Sequence, residues 1–361
     1  MPETGIKKNL ALHDIAPSDI EELARFIGPV SGTDVPLDRA VARLSWILLE
    51  NPARQPGDPL GWLLRSASGD LVGCMCCAPQ KFCLGETSFT LIMANSFYVD
   101  DAYRGGGTSI FLKYLQLGRR YPLFVSSANA AVSEMWRKVG AYPLANSGHE
   151  VLGIVRWPPL VAESVYRKTA SRRMAQYVAT LASVLLRPRR LLAGTVAGQL
   201  TALHSSAEAA SICAEHRSDK ITNCRDGSFL KWRYFSRADP GARLFAFRPG
   251  GGAEQKPFMV AVRLQNRGYK QQIRALQILD VWGEAEPESY LAIAACLQRE
   301  YHEQIDVLVF RCLNPAAEAL LITHGFKVRP FAAPIAWCMD KFKLLPSNSW
   351  YLVPADGDMF L

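Results

Sequence analysis

The sequence predicts an α+β chain: two tandem copies of one module, each a mixed central sheet flanked by helices, joined by a helical connector. Three observations predict it. Short segments recur at a nearly fixed spacing: Ala11-Leu12-His13 returns as Ala202-Leu203-His204, Leu44-Ser45-Trp46 as Leu230-Lys231-Trp232, and Asn129, eleven residues before Gly140, as Asn314, eleven before Gly325. Offsets of 191, 186 and 185 residues are too steady for chance and mark an internal duplication. Within each copy, short strand-like runs joined by turns alternate with helical patterns, as in antiparallel hairpins that end in a parallel pair. A chain of 361 residues, 49% hydrophobic and 20% charged, has enough apolar material for two cores, which excludes a disordered chain and a disulfide-stapled miniprotein.

The elements follow in order. A strand over 10–15 leads to helices over 18–26 and 36–48; strands 61–65 and 71–78 are joined as a hairpin by Ser68-Gly69-Asp70. A fourth strand, 87–99, meets a glycine-rich loop that opens a helix over 109–117, stopped by Gly118. A strand at 123–126 and a helix at 128–139 close the copy. The second copy repeats the layout with strands 243–247, 258–264 and 273–281 and a helix over 314–326. The implied division is 1–156, 157–198 for the connector, and 199–361.

Charge is concentrated. Between Arg156 and Arg190 eight basic residues face one acid, Glu163, so this segment carries nearly all of the formal charge of +8. That distribution argues against a nucleic-acid binder, which spreads basic residues over a face among aromatics. Three readings of the connector stay open: a solvated helical face, a peripheral contact with anionic lipid, or an electropositive rim for acidic substrates. The runs 174–186 and 191–203, 13 residues each, fall short of the roughly 20 needed to cross a bilayer. The nine cysteines include a cluster, Cys74, Cys76 and Cys77, whose spacing suits neither a zinc cage nor a disulfide framework; buried thiols of a cytoplasmic protein are expected, and no metal. No apolar stretch follows Lys7 and Lys8, so no secretory leader is expected.

The segment from Val99 to Ser109, Val-Asp-Asp-Ala-Tyr-Arg-Gly-Gly-Gly-Thr-Ser, carries the chemistry. Glycines there let the backbone curl with its N–H groups inward, and the following helix adds its positive end, which together suit a pyrophosphate. It is neither a P-loop nor a dinucleotide fingerprint, since Gly-Lys-Ser/Thr is missing and Ile110 stands where a third glycine is needed. A surface turn is the alternative.

Arg104-Gly105-Gly106-Gly107-Thr108-Ser109 resembles the acyl-CoA loop of the GNAT (Gcn5-related N-acetyltransferase) superfamily, Arg/Gln-x-x-Gly-x-Gly/Ala, with Ser109 at the last small position and Asp101 where proline is usual. The run from Asn129 to Ala141 resembles the family's second signal, a helix opened by asparagine. The resemblance covers about residues 10–150. It implies that the backbone of Arg104 to Ser109 holds the CoA pyrophosphate, that the strand edge at Phe97, Tyr98 and Val99 pairs with the pantetheine arm, and that Asn129 reaches the same arm. Where many members carry a tyrosine that protonates the leaving thiolate, this chain has Trp136, and an indole is no acid at neutral pH. Trp136 then either contacts the cosubstrate or belongs to the core. His149, Glu150 and Asn95 are the candidate proton acceptors.

In the second copy the loop position reads Asp280-Val281-Trp282-Gly283-Glu284-Ala285-Glu286-Pro287, whose acids repel a pyrophosphate, so a degenerate copy that binds no CoA is expected. Trp232-Arg233-Tyr234, Trp350-Tyr351 and Asp356-Gly357-Asp358 resemble segments of tandem GNAT-like proteins of bacterial polysaccharide and sugar biosynthesis. The competing readings are Trp232 as core and Asp356-Gly357-Asp358 as a solvated tail rather than a metal site. The resemblance implies an acyltransferase using acetyl-CoA or another acyl-CoA, with an amine or hydroxyl of a small molecule, such as a sugar, as acceptor. The alternatives are a noncatalytic scaffold or CoA sensor, and a tRNA-dependent transferase that uses the connector.

Overall fold

The computed structural model describes residues 9–31, 35–144, 147–185, 198–216, 218–236, 241–250, 256–268, 272–283, 285–311, 314–337 and 350–356. The first half contains β1 (Ala11–Asp14), α1 (Ile20–Ile27), α2 (Leu37–Leu48), β2 (Gly61–Arg65), β3 (Leu71–Leu84), β4 (Thr87–Val99), α3 (Gly107–Leu117), β5 (Leu123–Val125), α4 (Ala130–Lys138), β6 (Tyr142–Pro143) and β7 (His149–Ile154). Helices α5 (Pro158–Thr169) and α6 (Arg172–Leu185) form the described part of the connector. The second half contains β8 (Gly198–Leu203), α7 (Ser206–Ala214), β9 (Thr222–Asn223), α8 (Gly227–Tyr234), β10 (Ala242–Pro249), β11 (Phe258–Arg267), β12 (Ile273–Trp282), α9 (Pro287–Tyr301), β13 (Val307–Phe310), α10 (Pro315–Thr323), β14 (Lys327–Pro330) and β15 (Ile335–Trp337).

The local sequence explains most of these. In α1 the apolar Ile20, Leu23 and Ala24 turn inward while Glu21, Glu22 and Arg25 remain at the surface, the spacing of an amphipathic helix. Helix α9 opens on Pro287, whose missing N–H costs nothing in a first turn, and it is buried on nearly every side. The central strands β3 and β4 are apolar on both faces because helices or the other half cover both.

The main paths of the two sheets have the same strand order. The first runs β1-β2-β3-β4-β5-β15-β6 and the second β8-β10-β11-β12-β13-β7-β14. The parallel pair is β4–β5 in one and β12–β13 in the other. The strand beside it comes from the opposite half: β15 lies antiparallel to β5, with Ile335 opposite Val125, and β7 lies antiparallel to β13, with Val307 opposite Ile154. The sheets therefore cut across the division expected at residues 156 and 199. Trp337 seals one exchange, its indole N–H donating to the Val139 carbonyl at 2.9 Å. Its ring lies so close to Gly118 that a Cβ there would sit 2.2 Å from it, so the glycine that ends α3 also makes room for the foreign strand.

The halves share one core. A cluster of buried side chains takes Trp46, Leu48, Phe82 and Phe124 from the first half and Trp232, Met259, Trp350 and Leu352 from the second. Trp350 stacks on Phe124 and meets Phe82 edge-on. Asp356, expected in a solvated tail, is instead buried, with a carboxylate oxygen 2.9 Å from Arg225, which also pairs with the buried Asp280. One guanidinium between two carboxylates leaves surplus negative charge out of water; burial, eased by Arg225, pushes the Asp356 carboxyl up to about 6. Gly357 and Asp358 lie outside the described residues.

Candidate active site

The site begins where two parallel strands part. Strand β4 pairs with β5 only through Ile92, Met93 and Ala94, opposite Leu123, Phe124 and Val125. Beyond Ala94 it continues to Val99 with no strand on that side among the described residues, so its backbone groups form an edge able to receive another extended, amide-bearing chain. Tyr114 of α3 sits at the root of this fork, its hydroxyl donating to the Ile92 carbonyl at 2.7 Å with the Phe124 carbonyl at 3.2 Å. Burial holds that phenol well above its usual pKa, so it is a structural donor.

A β-bulge re-aims the edge. The β3–β4 register shifts by one residue between Cys74 and Cys76, so that Met75 faces both Ser96 and Phe97, and Ser96 takes φ 50°. Ahead of the bulge Ile92 and Ala94 face α3 and α4; beyond it Phe97 and Val99 regain that face, while Tyr98 turns to the other side and its ring lies 5.5 Å from Phe26. The Ser96 carbonyl accepts from the Cys74 thiol at 3.4 Å. Burial pushes all three clustered thiols up, Cys76 to about 12, so none is a nucleophile.

Asn95 stands immediately before the bulge. It is 4% exposed, and neither its carbonyl oxygen nor its amide nitrogen has a hydrogen-bond partner among the described residues. Nearly all buried polar groups are paired, so an orphan amide beside an open strand edge marks a place prepared for something else.

The glycine loop closes the end of the fork, and not in the way expected. Residues Asp101–Gly106 form a 3₁₀ turn that runs directly into α3, and Gly105, Gly106 and Gly107 all avoid positive φ. The glycines thin the backbone instead of curling it. A Cβ on Gly106 would lie 2.4 Å from Leu64 and 2.8 Å from Leu10, so this glycine lets the start of α3 settle on β2; a Cβ on Gly105 would meet nothing within 4 Å. Gly107 lies over Phe97 and Val99. Ser109 donates its hydroxyl to the Gly106 carbonyl at 2.6 Å, and Thr108 lies in the first turn of the helix. Asp101, in the place of the usual proline, pairs with Arg104 at 2.7 Å on the surface.

Asn129 lies across the fork as the N-cap of α4, its side-chain oxygen accepting from the Val132 N–H at 2.9 Å, which leaves its amide hydrogens to donate elsewhere. Trp136, seven residues on, is 2% exposed and wedged edge-on against Phe111 and Tyr114, with ring centroids at 5.1 and 5.7 Å. It is a core residue between α4 and α3.

His149 and Glu150 are not here at all. Strand β7 carries them into the second sheet, where His149 contacts Glu318 at 2.6 Å and Glu150, fully buried, is clamped by Arg267 at 2.8 Å and by Arg329. Burial opposes its charge, but the two guanidiniums outweigh that and hold the carboxyl below its usual range. Both side chains are engaged within the second sheet, because β7 crosses into it and carries them away from the second motif.

The second half has its own fork, with a bulge in β12 opposite Ala261 and Val262. It opens on a cleft of about 660 Å³ lined by Trp282, Tyr290, Asn314, Lys220 and Tyr351 among others. Glu286 stands at the N-cap of α9, putting a carboxylate near a helix start that an anion would need, and Tyr351 donates its hydroxyl to the Val281 carbonyl beyond the bulge. Among the described residues no group of metal-binding side chains occurs, and no helix is long and apolar enough to cross a membrane.

No family model matches the sequence, and no curated protein matches it either. Solved structures do. A putative acetyltransferase from Pyrococcus horikoshii aligns with a TM-score of 0.53 at 12% identity over 99% of each chain. A GCN5-related N-acetyltransferase from Anabaena variabilis gives 0.55 at 12% identity, over 91% of this chain and 72% of that one. Saccharomyces cerevisiae N-myristoyltransferase with bound myristoyl-CoA gives 0.56 at 10% identity, over 92% and 78%. Such identities speak of architecture, and the architecture of this chain, a forked and bulged mixed sheet with helices on its faces, is the GNAT fold.

Proposed function

We propose that the first fork binds an acyl-CoA and that the protein transfers its acyl group to an amine or hydroxyl of a small molecule, acetyl being the default group. The open edge of β4 beyond Ala94 carries this reading. An extended arm with two amides fits such an edge by adding a partial strand, and the helix start at Gly107 with the Asn129 amide stands at either side of it. The thioester brings an activated acyl carbon to the fork. The chain's part is to hold it beside the bulge at Ser96, where the strand edge can turn a backbone N–H to a carbonyl and polarise it, and to present Asn95 as a hydrogen-bonding group to the acceptor. Asn95 orients and does not take a proton; with Trp136 in the core, proton transfer falls to the acceptor's own group and water.

A noncatalytic CoA binder is the second reading, favoured by that same absence of an acid–base side chain among the residues identified at the fork. Calorimetric titration with acetyl-CoA tests both. Saturable one-to-one binding, abolished by Gly105→Trp with the fold intact, is expected, because that position faces open space in front of the loop. Binding followed by acyl transfer to an amine, a sugar or another acceptor from a screen supports the enzyme. Binding with no transfer to any acceptor leaves the sensor, and no binding by the folded wild type overturns both.

A further inference from the structure

Ten large hydrophobic side chains are exposed among the described residues, and five of them, Met174, Tyr177, Leu181, Val184 and Leu185, belong to α6. At 3.6 residues per turn these five occupy about a third of the helix circumference. Tyr177, Val184 and Leu185 are 65%, 77% and 76% exposed, well beyond the partial cover usual for a surface leucine or valine. The side of α6 that is buried is small and made of alanine, Ala175 and Ala182, where the helix packs on α5. Arg172, Arg173, Gln176, Thr180 and Ser183 are exposed and complete the circumference with a polar face. The helix thus presents an apolar stripe to solvent with a polar flank beside it, and among the described residues no other element packs on that stripe.

Charge points to what covers it. Helix α6 has no acidic residue, and the only acid of α5, Glu163, is paired with Arg167 at 2.7 Å. Lys168, Arg172 and Arg173 have no carboxylate partner among the described residues, and they gather at the junction of the two helices, beside the start of the stripe. A second copy of the chain laid on this face brings the same cations and no unpaired acid of α5 or α6 to offset them. A surface of lipid phosphates meets the cations and takes up the apolar stripe at once. Fourteen residues of helix, about 21 Å long, cannot span a bilayer but can lie in its interface.

We propose that α6 is a membrane-docking helix that seats the protein on an anionic lipid surface, with Met174, Tyr177, Leu181, Val184 and Leu185 entering the headgroup–acyl boundary and Lys168, Arg172 and Arg173 against lipid phosphates. This is independent of the acyl-transfer reading, since none of these residues belongs to the fork.

Co-sedimentation of the full chain with phosphatidylcholine vesicles, with and without phosphatidylserine, is the test. The wild type is expected to bind the serine-containing vesicles about tenfold or more tightly than the neutral ones, with the difference lost at high salt. Leu181→Asp/Leu185→Asp, both exposed positions, is expected to abolish binding to either vesicle without moving the thermal midpoint. Arg172→Glu/Arg173→Glu is expected to remove the preference for anionic lipid. Absence of wild-type binding, equal binding to both vesicles, or retention of binding by the aspartate variant overturns the proposal. So does light scattering that shows a wild-type dimer broken by the same aspartate pair, which would assign the stripe to a second copy.

Discussion

The indole N–H of Trp46 donates to the backbone carbonyl of Trp232, and the indole N–H of Trp232 donates to the carbonyl of Trp46, each at 2.9 Å, with the two rings stacked 4.8 Å apart. The two residues occupy matching places in the repeat, so the exchange is what an approximate two-fold axis between the halves produces. Two identical bonds made by partners of one pair hold the axis at the centre of the shared core.

Replacing either tryptophan with phenylalanine keeps an aromatic ring but strands one buried carbonyl. Trp46→Phe and Trp232→Phe are each expected to cost about 1–3 kcal/mol, and by similar amounts because the bonds are equivalent. The double variant is expected to cost less than the sum, since the stack couples the two. Urea unfolding of the three variants gives the cycle; a large asymmetry between the single variants would show that the axis does not hold.

The glycine loop separates two roles that a motif runs together. Gly106→Val forces its side chain into Leu64 and Leu10 and is expected to lower stability by about 1–3 kcal/mol. Gly105→Ala meets nothing and is expected to leave the unfolding midpoint unchanged. Thermal unfolding of the two variants without ligand distinguishes them.

Glu150 carries a pH dependence. Its carboxyl is held below the ordinary range, so its contribution is complete above the unfolded value of about 4.3 and is lost as pH falls through the lower folded value. Glu150→Gln leaves Arg267 and Arg329, both partly exposed, without their anion and is expected to cost about 1–3 kcal/mol at neutral pH, a gap that narrows as acid protonates the wild type. Unfolding curves at neutral and acid pH check it. His149→Ala is expected to leave acyl-CoA binding unchanged, because β7 belongs to the other sheet.

Cys83 on β3 faces Cys224 just past β9. The hydrogen bond from the Cys224 thiol, aided by Arg225 and Lys81, outweighs partial burial and brings Cys83 down to about 7. Alkylation by iodoacetamide, followed by mass spectrometry of the Cys83 peptide, is expected to rise with a midpoint near that pH. Cys224→Ala is expected to move the midpoint up, and Cys224→Ser, which still donates, to move it less.

The duplication was legible because it is written in side chains that pack: Trp46 and Trp232 recur since both line the same axis, and Asn129 and Asn314 recur since both cap a helix with their side-chain oxygen. The limits of β4, Thr87–Val99, also followed from pattern alone. What escaped were facts about partners. A three-residue strand such as β15 has the same local signature whichever sheet it joins, so neither its pairing with β5 nor the removal of His149 and Glu150 to the second sheet could be read. The bulge escaped for another reason: positive φ is announced by glycine, and here a serine adopts it. The polar Asn95-Ser96 pair that interrupts an apolar run was its only trace.

The exchange of β7 and β15 also bears on how the chain comes into being. During synthesis the first half leaves the ribosome with β5 bare on one side, because β15, the strand that covers it, follows only after α5, α6 and the strands of the second half. Until that strand arrives, the nascent sheet shows an unpaired row of backbone groups of the kind that recruits strands from neighbouring chains. A message cut short before Ile335 therefore yields a product that is prone to aggregate, and the open fork on β4 is assembled only beside a sheet that β15 has joined.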